Sequence, residues 1–430
     1  MASHPLPTLK KRKYSVWRAL DKHVNFEYVS VIKFSPCTSL VALVTHQKHM
    51  RVMLLNYRVM SCNVLFEYVS DFPIEDMKWS SNSEALLIYS LKSHQFVVVQ
   101  NVIDFDDQSL FRGQDPQLVR LVSIEWAPDN KHLVSVSDHS IYAFVHSLCN
   151  GRRILLPSIK SRNSEPLMKF NHDGRYLAFI HCTSSTNHVI LMSTFSWSVV
   201  WKKRSEYRII EGLGWSPDSS MLTVWDNSKR TSFMEVNGDV IQTIHYQNPL
   251  ASGFVTTMFS ATCDLFLAAC VQDQVVLILI YNILNWSLIA VLDHGRDCCE
   301  HLRNSFVSSQ ASFSSCGNFI ASSFMKGSVF IWNIGEGFKP STVINTQNNS
   351  AGLQWHPSKT ELAILTDDGT VFIWKHPQSG PANKTPSIHT VMINLVSAAE
   401  ITWSKKNLIF RKIGPVQDAV VLVKRGRKRK

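Results

Sequence analysis

The sequence lacks any uninterrupted run of 18 or more apolar residues, although 45% of its 430 residues are hydrophobic. A membrane-spanning helix is therefore not expected, because crossing a bilayer takes about 20 mostly apolar residues. The most apolar stretch, residues 265–284, is interrupted by Gln272, Asp273 and Gln274, which predicts a turn between two buried strands. No apolar segment follows the basic residues near the N-terminus, so a secretory signal is not expected either.

The sequence also lacks a C-x-x-C motif. Its nine cysteines are odd in number and irregularly spaced, which favours reduced thiols in the cytosol or nucleus. One group has the residue types of a metal site: His294, Cys298, Cys299 and His301. Zinc sites usually separate their thiolates by a few residues, and adjacent cysteines cannot readily face one ion. A polar loop is the favoured interpretation, and neither a metal nor a cofactor is predicted.

Sequence signatures of common enzymes are missing as well. There is no P-loop, G-x-G-x-x-G, G-x-S-x-G or H-E-x-x-H motif. The acidic pairs at 106–107 and 367–368 fall in predicted turns, whereas glycosidase carboxylates must face each other across a pocket. His172 also falls in a turn and is expected to be structural. We therefore expect no catalytic activity.

The net charge of +11 is concentrated at the two ends. Residues 10–13 contribute four positive charges and residues 424–430 contribute six, which leaves one on the rest of the chain. A nucleic-acid-binding fold more often carries a basic face on its body, so nucleic acid is an unlikely partner of the folded part. The tails are interpreted as nuclear-import signals, as contacts for an acidic surface, or as solvated ends. The candidate contacts in the C-terminal tail are Lys424, Arg425, Arg427, Lys428, Arg429 and Lys430.

One unit recurs nine times along the chain. It starts with a short apolar strand that ends in an aromatic residue, followed by a turn rich in Ser, Pro, Asp and Gly and then by further apolar strands. The aromatic residues, called anchors below, are Phe34, Trp79, Trp126, Phe170, Trp215, Phe259, Phe313, Trp355 and Trp403. Their spacing of 42–54 residues is close to the roughly 40–45 residues of a four-stranded propeller blade.

The spacing predicts an all-β propeller of nine units in one ring. Seven or eight blades with one displaced unit is the alternative, and two smaller propellers are disfavoured because no linker lies near the middle. We assign residues 23–423 to the propeller, 1–22 and 424–430 to basic tails, and about 293–311 to an insertion loop. Residues 23–29 are expected to supply the outer strand of the last blade beside residues 419–423, which would hide the edge strands.

These units resemble degenerate WD40 repeats. The usual opening Gly-His pair is absent, and the closing Trp-Asp pair survives only as Trp332-Asn333 and Trp374-Lys375. Residues 212–226 and 285–294, the second followed by the insertion, resemble landmarks of a divergent WD-repeat family of centrosomes and spindle poles. Residues 124–130 and 168–178 also fit. The basic tails depart from that family, which leaves a nuclear location open.

The resemblance implies a scaffold that joins a coiled-coil partner and helps anchor microtubule minus ends at spindle poles. Its implied location is the cytoplasm and cytoskeleton, at the centrosome. The alternatives are a nuclear or ribonucleoprotein adaptor that uses its basic tails and, least favoured, a propeller enzyme, because a fold alone does not determine function. Three further tryptophans, Trp197, Trp201 and Trp286, lie near predicted outer strands, and packing between blades is the favoured role for them.

Removing residues 424–430 separates the scaffold from the adaptor hypothesis. The scaffold hypothesis predicts that the truncated protein still collects at spindle poles in imaged dividing cells. Loss of nuclear entry, or loss of RNA binding that was steeply salt-dependent in the full chain, would instead support the adaptor.

Overall fold

The computed structural model describes residues 29–423 with several gaps. The gaps are residues 38, 57–60, 104–108, 114–120, 138–141, 163–164, 184–185, 249–250, 273–274, 294–309, 325–327, 347–349, 367–369, 377–386, 393–398, 404–407 and 413–421. The described residues form strands and turns only. They contain no helix that is long and apolar enough to cross a membrane.

The strands follow one another as nine antiparallel meanders, which we call blades 1 to 9. Blade 1 comprises β1 (Val29–Phe34), β2 (Leu40–Thr45), β3 (His49–Asn56) and β4 (Ser61–Val69). Blade 2 comprises β5 (Asp76–Trp79), β6 (Leu86–Ser90), β7 (Gln95–Gln100) and β8 (Ser109–Gly113). Blade 3 comprises β9 (Leu121–Trp126), β10 (His132–Ser137), β11 (Ala143–Ser147) and β12 (Arg153–Leu156).

A short hairpin precedes blade 4 and consists of β13 (Ser161–Arg162) and β14 (Glu165–Pro166). Blade 4 comprises β15 (Met168–Phe170), β16 (Tyr176–Thr183), β17 (Thr186–Ser193) and β18 (Ser198–Arg204). Blade 5 comprises β19 (Ile210–Trp215), β20 (Met221–Asp226), β21 (Arg230–Glu235) and β22 (Val240–His245). Blade 6 comprises β23 (Ala251–Phe259), β24 (Leu265–Gln272), β25 (Val275–Asn282) and β26 (Leu288–Asp293).

Blade 7 comprises β27 (Gln310–Phe313), β28 (Phe319–Phe324), β29 (Ser328–Asn333) and β30 (Lys339–Asn345). Blade 8 comprises β31 (Ser350–Trp355), β32 (Glu361–Thr366), β33 (Thr370–Lys375) and β34 (Ser387–Met392). Blade 9 has three described strands, β35 (Ala399–Trp403), β36 (Leu408–Lys412) and β37 (Leu422–Val423). The prediction of an all-β chain of nine blade-like units is confirmed. The predicted closing pair, residues 23–29 beside 419–423, lies mostly outside the described residues.

The hydrophobic core is divided into layers between consecutive blades. Each of seven buried clusters draws its side chains from two neighbouring blades, from blades 1 and 2 through to blades 7 and 8. The middle strands are therefore apolar on both faces, as β2 and β32 show with every residue buried. A blade depends on its two neighbours for burial, because one sheet cannot cover its own faces.

The anchors end the first strand of each blade, and first strands contact one another between blades 1 and 2, 4 and 5, 5 and 6, 7 and 8, and 8 and 9. Anchor tryptophans add a hydrogen bond between blades, which we call the indole bridge. The indole N–H donates to the carbonyl of the residue that precedes the anchor of the preceding blade. The bridges join Trp79 to Lys33 at 3.0 Å, Trp126 to Lys78 at 3.0 Å, Trp215 to Lys169 at 3.1 Å and Trp355 to Ser312 at 3.1 Å.

In blades 1 to 8 the turn after the anchor is closed by a buried residue whose N–H donates to the carbonyl five residues on, at 2.8–3.0 Å. These residues are Ser35, Ser80, Ala127, Asn171, Ser216, Ser260, Ser314 and His356. Four residues after six of the anchors, the backbone is left-handed, with φ of 57–76° at Ser83, Asn130, Gly174, Ser219, Cys263 and Gly317. Gly and Asn adopt this conformation readily, which explains the predicted turn composition.

Replacing Trp215 with phenylalanine tests the indole bridge. The variant keeps an aromatic anchor but loses the bond to Lys169, and we expect the free energy of unfolding to fall by about 1 kcal/mol beyond the packing loss. Urea denaturation measures this change.

Trp197→Phe is the matched control. Trp197 and Trp215 are both 7% exposed, but the indole nitrogen of Trp197 has no hydrogen-bond partner among the described atoms. The control should therefore lose only packing. Equal losses in the two variants would contradict a stabilising role for the bridge.

Candidate interaction surface

The structure places the sequence-predicted residues in different environments. Eight anchors lie at the ends of described first strands with described side chains, whereas only the backbone of Trp403 is described. The basic tails, the insertion loop at 294–309 and the cluster His294, Cys298, Cys299 and His301 lie outside the described residues. Nδ1 of His172 lies 3.1 Å from the carbonyl oxygen of Ser216 on the next blade. His172 therefore links two blades.

Charged side chains on the first strands of blades 1 to 3 are paired between blades. Lys33 Nζ lies 3.0 Å from Asp76 Oδ1, and Lys78 Nζ lies 2.6 Å from Glu125 Oε1. A cavity of about 500 Å³ beside the second pair is lined by Lys78, Glu125, Lys169 and residues of the hairpin before blade 4. Both carboxylates hold a lysine of an adjacent blade, which is a structural role.

No group of three or more His, Cys, Asp or Glu side chains converges in the part of the chain that the structure describes. Burial explains two shifted groups of blade 6, since it raises the pKa of Cys270 to about 11 and that of Tyr281 to about 12. Burial alone would raise the pKa of Asp218, but hydrogen bonds from Ser216 and Ser220 outweigh it and lower that pKa. This carboxylate orders the turn after an anchor.

The turn between the third and fourth strands is tied to the turn after the anchor of the same blade. In blade 4 the N–H of Thr194 donates to the carbonyl of Arg175 at 2.9 Å, and in blade 6 the N–H of Ile283 donates to that of Asp264 at 2.9 Å. Equivalent bonds run from Val102 to Glu84, Leu148 to Lys131, Ile334 to Asn318 and His376 to Thr360. The two sets of turns form one edge of the blades, which we call the turn rim.

Two large apolar side chains project from the turn rim. Phe195 is 98% exposed and Leu284 is 87% exposed, and each directly follows the tied residue of its turn. Two positions further on, Trp197 packs against blade 3 and Trp286 packs against blade 5. Each exposed side chain is thus held between a backbone hydrogen bond and a tryptophan packed on the preceding blade. In the sequence, each turn shows a pair of apolar residues two positions apart, Phe195 with Trp197 and Leu284 with Trp286. The pattern does not reveal which residue of the pair is exposed.

Apolar side chains are also exposed on the outermost strands of blades 4 to 6. They are Val199 and Val200 in β18, Val240 and Ile241 in β22, and Leu288, Ile289 and Val291 in β26. Single exposed apolar residues are normal on a protein surface, whereas contiguous ones mark interaction sites. Outermost strands of other blades also expose apolar residues, such as Ile154 and Leu155 in β12. Blades 4 to 6 are the candidate interaction surface because they also carry Phe195 and Leu284.

Alkylation of Cys37 tests the electrostatics of the turn that follows the anchor Phe34 in blade 1. Burial would raise the pKa of this thiol, but hydrogen bonds with Ser35 and Ser39 outweigh burial and lower the pKa to about 7. Because the thiolate is the reactive form, the rate of labelling by iodoacetamide should rise through pH 7. At pH 6 the rate should be roughly tenfold below its maximum at high pH.

Mass spectrometry of the labelled peptides provides the measurement. Ser39→Ala should slow labelling of Cys37 at pH 7, while labelling of the exposed Cys149 in the same sample stays unchanged. Equal rates at Cys37 in the wild type and in Ser39→Ala would show that the hydrogen bonds do not set its reactivity.

Comparison with known proteins places these features in context. Residues 296–333, which include β27 to β29 of blade 7, match the family described as "WD domain, G-beta repeat". A stretch of 106 residues is 24% identical to the mouse (Mus musculus) WD repeat-containing protein WRAP73. That stretch is 25% of this chain and only 22% of the relative.

Solved structures show the same fold at low identity. The C-terminal WD40 domain of Sif2 is 11% identical, covers 82% of this chain and 97% of its own, and has a TM-score of 0.51. A eukaryotic initiation factor is 12% identical, with coverages of 86% and 90% and a TM-score of 0.59. The dihydro-heme d1 dehydrogenase NirN, 12% identical with coverages of 74% and 67% and a TM-score of 0.51, shows that enzymes also use this fold.

The WD40 match falls mainly on blade 7, and the other four-stranded blades have the same strand order. WD40 propellers typically bind protein partners. The chain therefore has a WD40-like β-propeller fold, and one segment of it matches the WD40 repeat model.

Proposed function

We propose that the chain is a non-catalytic scaffold that joins proteins at the centrosome or spindle pole and helps anchor microtubule minus ends. The WD40 fold supports the scaffold part. The resemblance of residues 212–226 and 285–294 to a centrosomal WD-repeat family supports the location, together with the similarity to WRAP73. By the same resemblance, the partner is a coiled-coil protein of the spindle pole.

One observation carries the proposal: Phe195 and Leu284 are almost fully exposed on turns that the structure holds rigidly. Phe195 lies four and five residues before the exposed Val199 and Val200 of the same blade, and exposed apolar residues that lie together indicate a contact. Aromatic side chains such as phenylalanine contribute strongly to the energy of protein interfaces when a partner buries them. Because the two turns are already ordered, binding costs little conformational entropy.

The apolar outer strands of blades 4 to 6 extend this contact surface. Blade 5 lies between the two projecting residues in sequence and contributes Val240 and Ile241. An interface of standard size takes about 20–30 residues from each side, which is more than two turns supply. The partner is therefore expected to contact the turn rim together with one or more of these outer strands.

Replacing Phe195 and Leu284 with aspartate tests the proposal. Loss of one interface anchor costs about 2 kcal/mol, roughly 30-fold in Kd, so the double variant should lose most of its signal at spindle poles. The measurement is fluorescence imaging of the tagged protein in dividing cells, with affinity purification of partners. Melting temperature should not change, because neither side chain is buried.

Ile103→Asp is the matched control. Ile103 occupies the same turn position in blade 2, directly after Val102, and is 55% exposed. It should leave the signal at the poles unchanged. A diffuse wild-type signal with no focus at the poles would contradict the proposed location, and unchanged partners in the double variant would contradict the proposed surface.

A further inference from the structure

Strand β18 is the outer edge of blade 4, beyond β17 in the sheet order. No described strand pairs with its outer side, so alternate backbone N–H and C=O groups face outward. The strand contains two consecutive exposed valines, Val199 at 46% and Val200 at 49% exposure, and a run of three cations, Lys202, Lys203 and Arg204. The outer strands of blades 5 and 6, by contrast, contain no lysine or arginine.

The pairing register shows which side chains of β18 share a face. Val199 lies opposite Met192, Lys202 opposite Ile190 and Arg204 opposite His188. Met192 and Ile190 belong to the layer between blades 3 and 4. The face of β18 toward blade 3 therefore presents one valine and two cations. A bulge at Val200 puts Val199 and Lys202 on this same face despite their spacing of three.

The opposite face of β18 is already occupied by blade 5. The indole N–H of Trp201 donates to the carbonyl of Val236 at 2.7 Å, and Lys203 Nζ lies 3.1 Å from Asp239 Oδ1. Of the three consecutive cations, the middle one is therefore neutralised within the fold. Lys202 and Arg204 are exposed and have no ion pair with any described residue.

Several other strand cations in the described chain have carboxylate partners, for example Arg51 with Glu67 and Arg112 with Asp71. The field beside Lys202 and Arg204 is positive. Burial lowers the pKa of His188 first, and the charges of Lys202, His181 and Arg204 lower it further. No carboxylate contributes to that shift.

The charge imbalance extends to the whole of blade 4. Residues 157–208 contain eight Lys or Arg and three Asp or Glu. Residues 209–248, which include blade 5, contain two Lys or Arg and five Asp or Glu. Residues 249–293 contain no Lys or Arg and three Asp. Blade 4 is thus a local basic surface on a propeller whose next two blades are acidic, so a partner with acidic groups is directed to blade 4.

We infer that β18 binds an extended segment of a partner protein that adds to blade 4 as a fifth strand. In this segment two acidic residues, separated by one residue, lie opposite Lys202 and Arg204, and an apolar residue packs on Val199. Alternate residues of an added strand face the same side, and opposite charges stabilise cross-strand pairs. This inference rests on the proposed scaffold function and states the chemistry of one partner segment.

A protein segment fits this edge better than a nucleic acid does. The outward backbone groups of β18 match those of another strand, and the two valines require an apolar counterpart. Two cations opposite alternate residues suit a short acidic motif, whereas a nucleic-acid strand needs a continuous basic groove with stacking aromatic rings.

Fluorescence polarisation with the purified full-length chain tests the inference. The probe is a fluorescein-labelled peptide of about twelve residues in which two glutamates, separated by one residue, adjoin two valines. A control peptide has glutamine in place of both glutamates. The glutamate peptide should bind roughly tenfold more tightly, since two charged cross-strand pairs each contribute up to about a fivefold factor. N-methylation of alternate peptide amides should abolish binding.

Charge reversal of the strand provides the matched variants. Lys202→Glu combined with Arg204→Glu should remove the preference for the glutamate peptide and create one for a peptide with lysines at the same positions. Lys131→Glu combined with Arg152→Glu reverses two exposed cations of blade 3 and should change neither affinity by more than about twofold.

Equal affinity for the glutamate and glutamine peptides would overturn the inference, as would tighter binding of a single-stranded oligouridine that displaces the peptide. Full binding of the N-methylated peptide would overturn the strand pairing. These results do not depend on the location of the protein in cells. A diffuse signal in dividing cells with intact peptide preference would contradict only the proposed location, and loss of preference with normal signal at the poles would contradict only this inference.

Discussion

The contact between the first strands of neighbouring blades is the constraint on which the rest of the structure depends. The anchors with described side chains lie there, and tryptophan anchors such as Trp126 and Trp215 also donate their indole N–H to the preceding blade at 3.0 and 3.1 Å. The bond satisfies a carbonyl and an indole that burial would otherwise leave unpaired, which costs about 1–3 kcal/mol each. Because the core consists of layers between blades, every buried cluster relies on this stacking.

The same stacking of blades also fixes the conformation of turns at the surface. Trp197 and Trp286 pack on the preceding blades, so the residues beside them cannot fold back into the core. Phe195 and Leu284 are consequently held outward without help from a partner. Blade 4 adds the basic edge strand β18, so that apolar and electrostatic contacts lie on adjoining parts of one blade. Function in this fold depends on surfaces that stable packing leaves exposed.

Much of the architecture could be predicted from the sequence because its signals are local. An apolar strand ending in an aromatic residue and followed by a Ser, Pro, Asp or Gly turn encodes one blade, and nine such units are spaced at nearly constant intervals. The interblade bonds could not be predicted, because Trp215 and its acceptor Lys169 are 46 residues apart. The interaction surface was missed for a similar reason, since exposure depends on how neighbouring blades cover each strand.

By itself the sequence determined the fold class, the number of repeated units and the anchor positions, because short-range turn chemistry and strand patterning specify them. Only the tertiary structure decided that Phe195 is exposed while Trp197, two residues away, is buried. It also decided that Lys203 is paired with Asp239 whereas Lys202 and Arg204 are not. The physical reason is that blade 5 covers one face of β18, and a bulge at Val200 sets which side chains occupy the other.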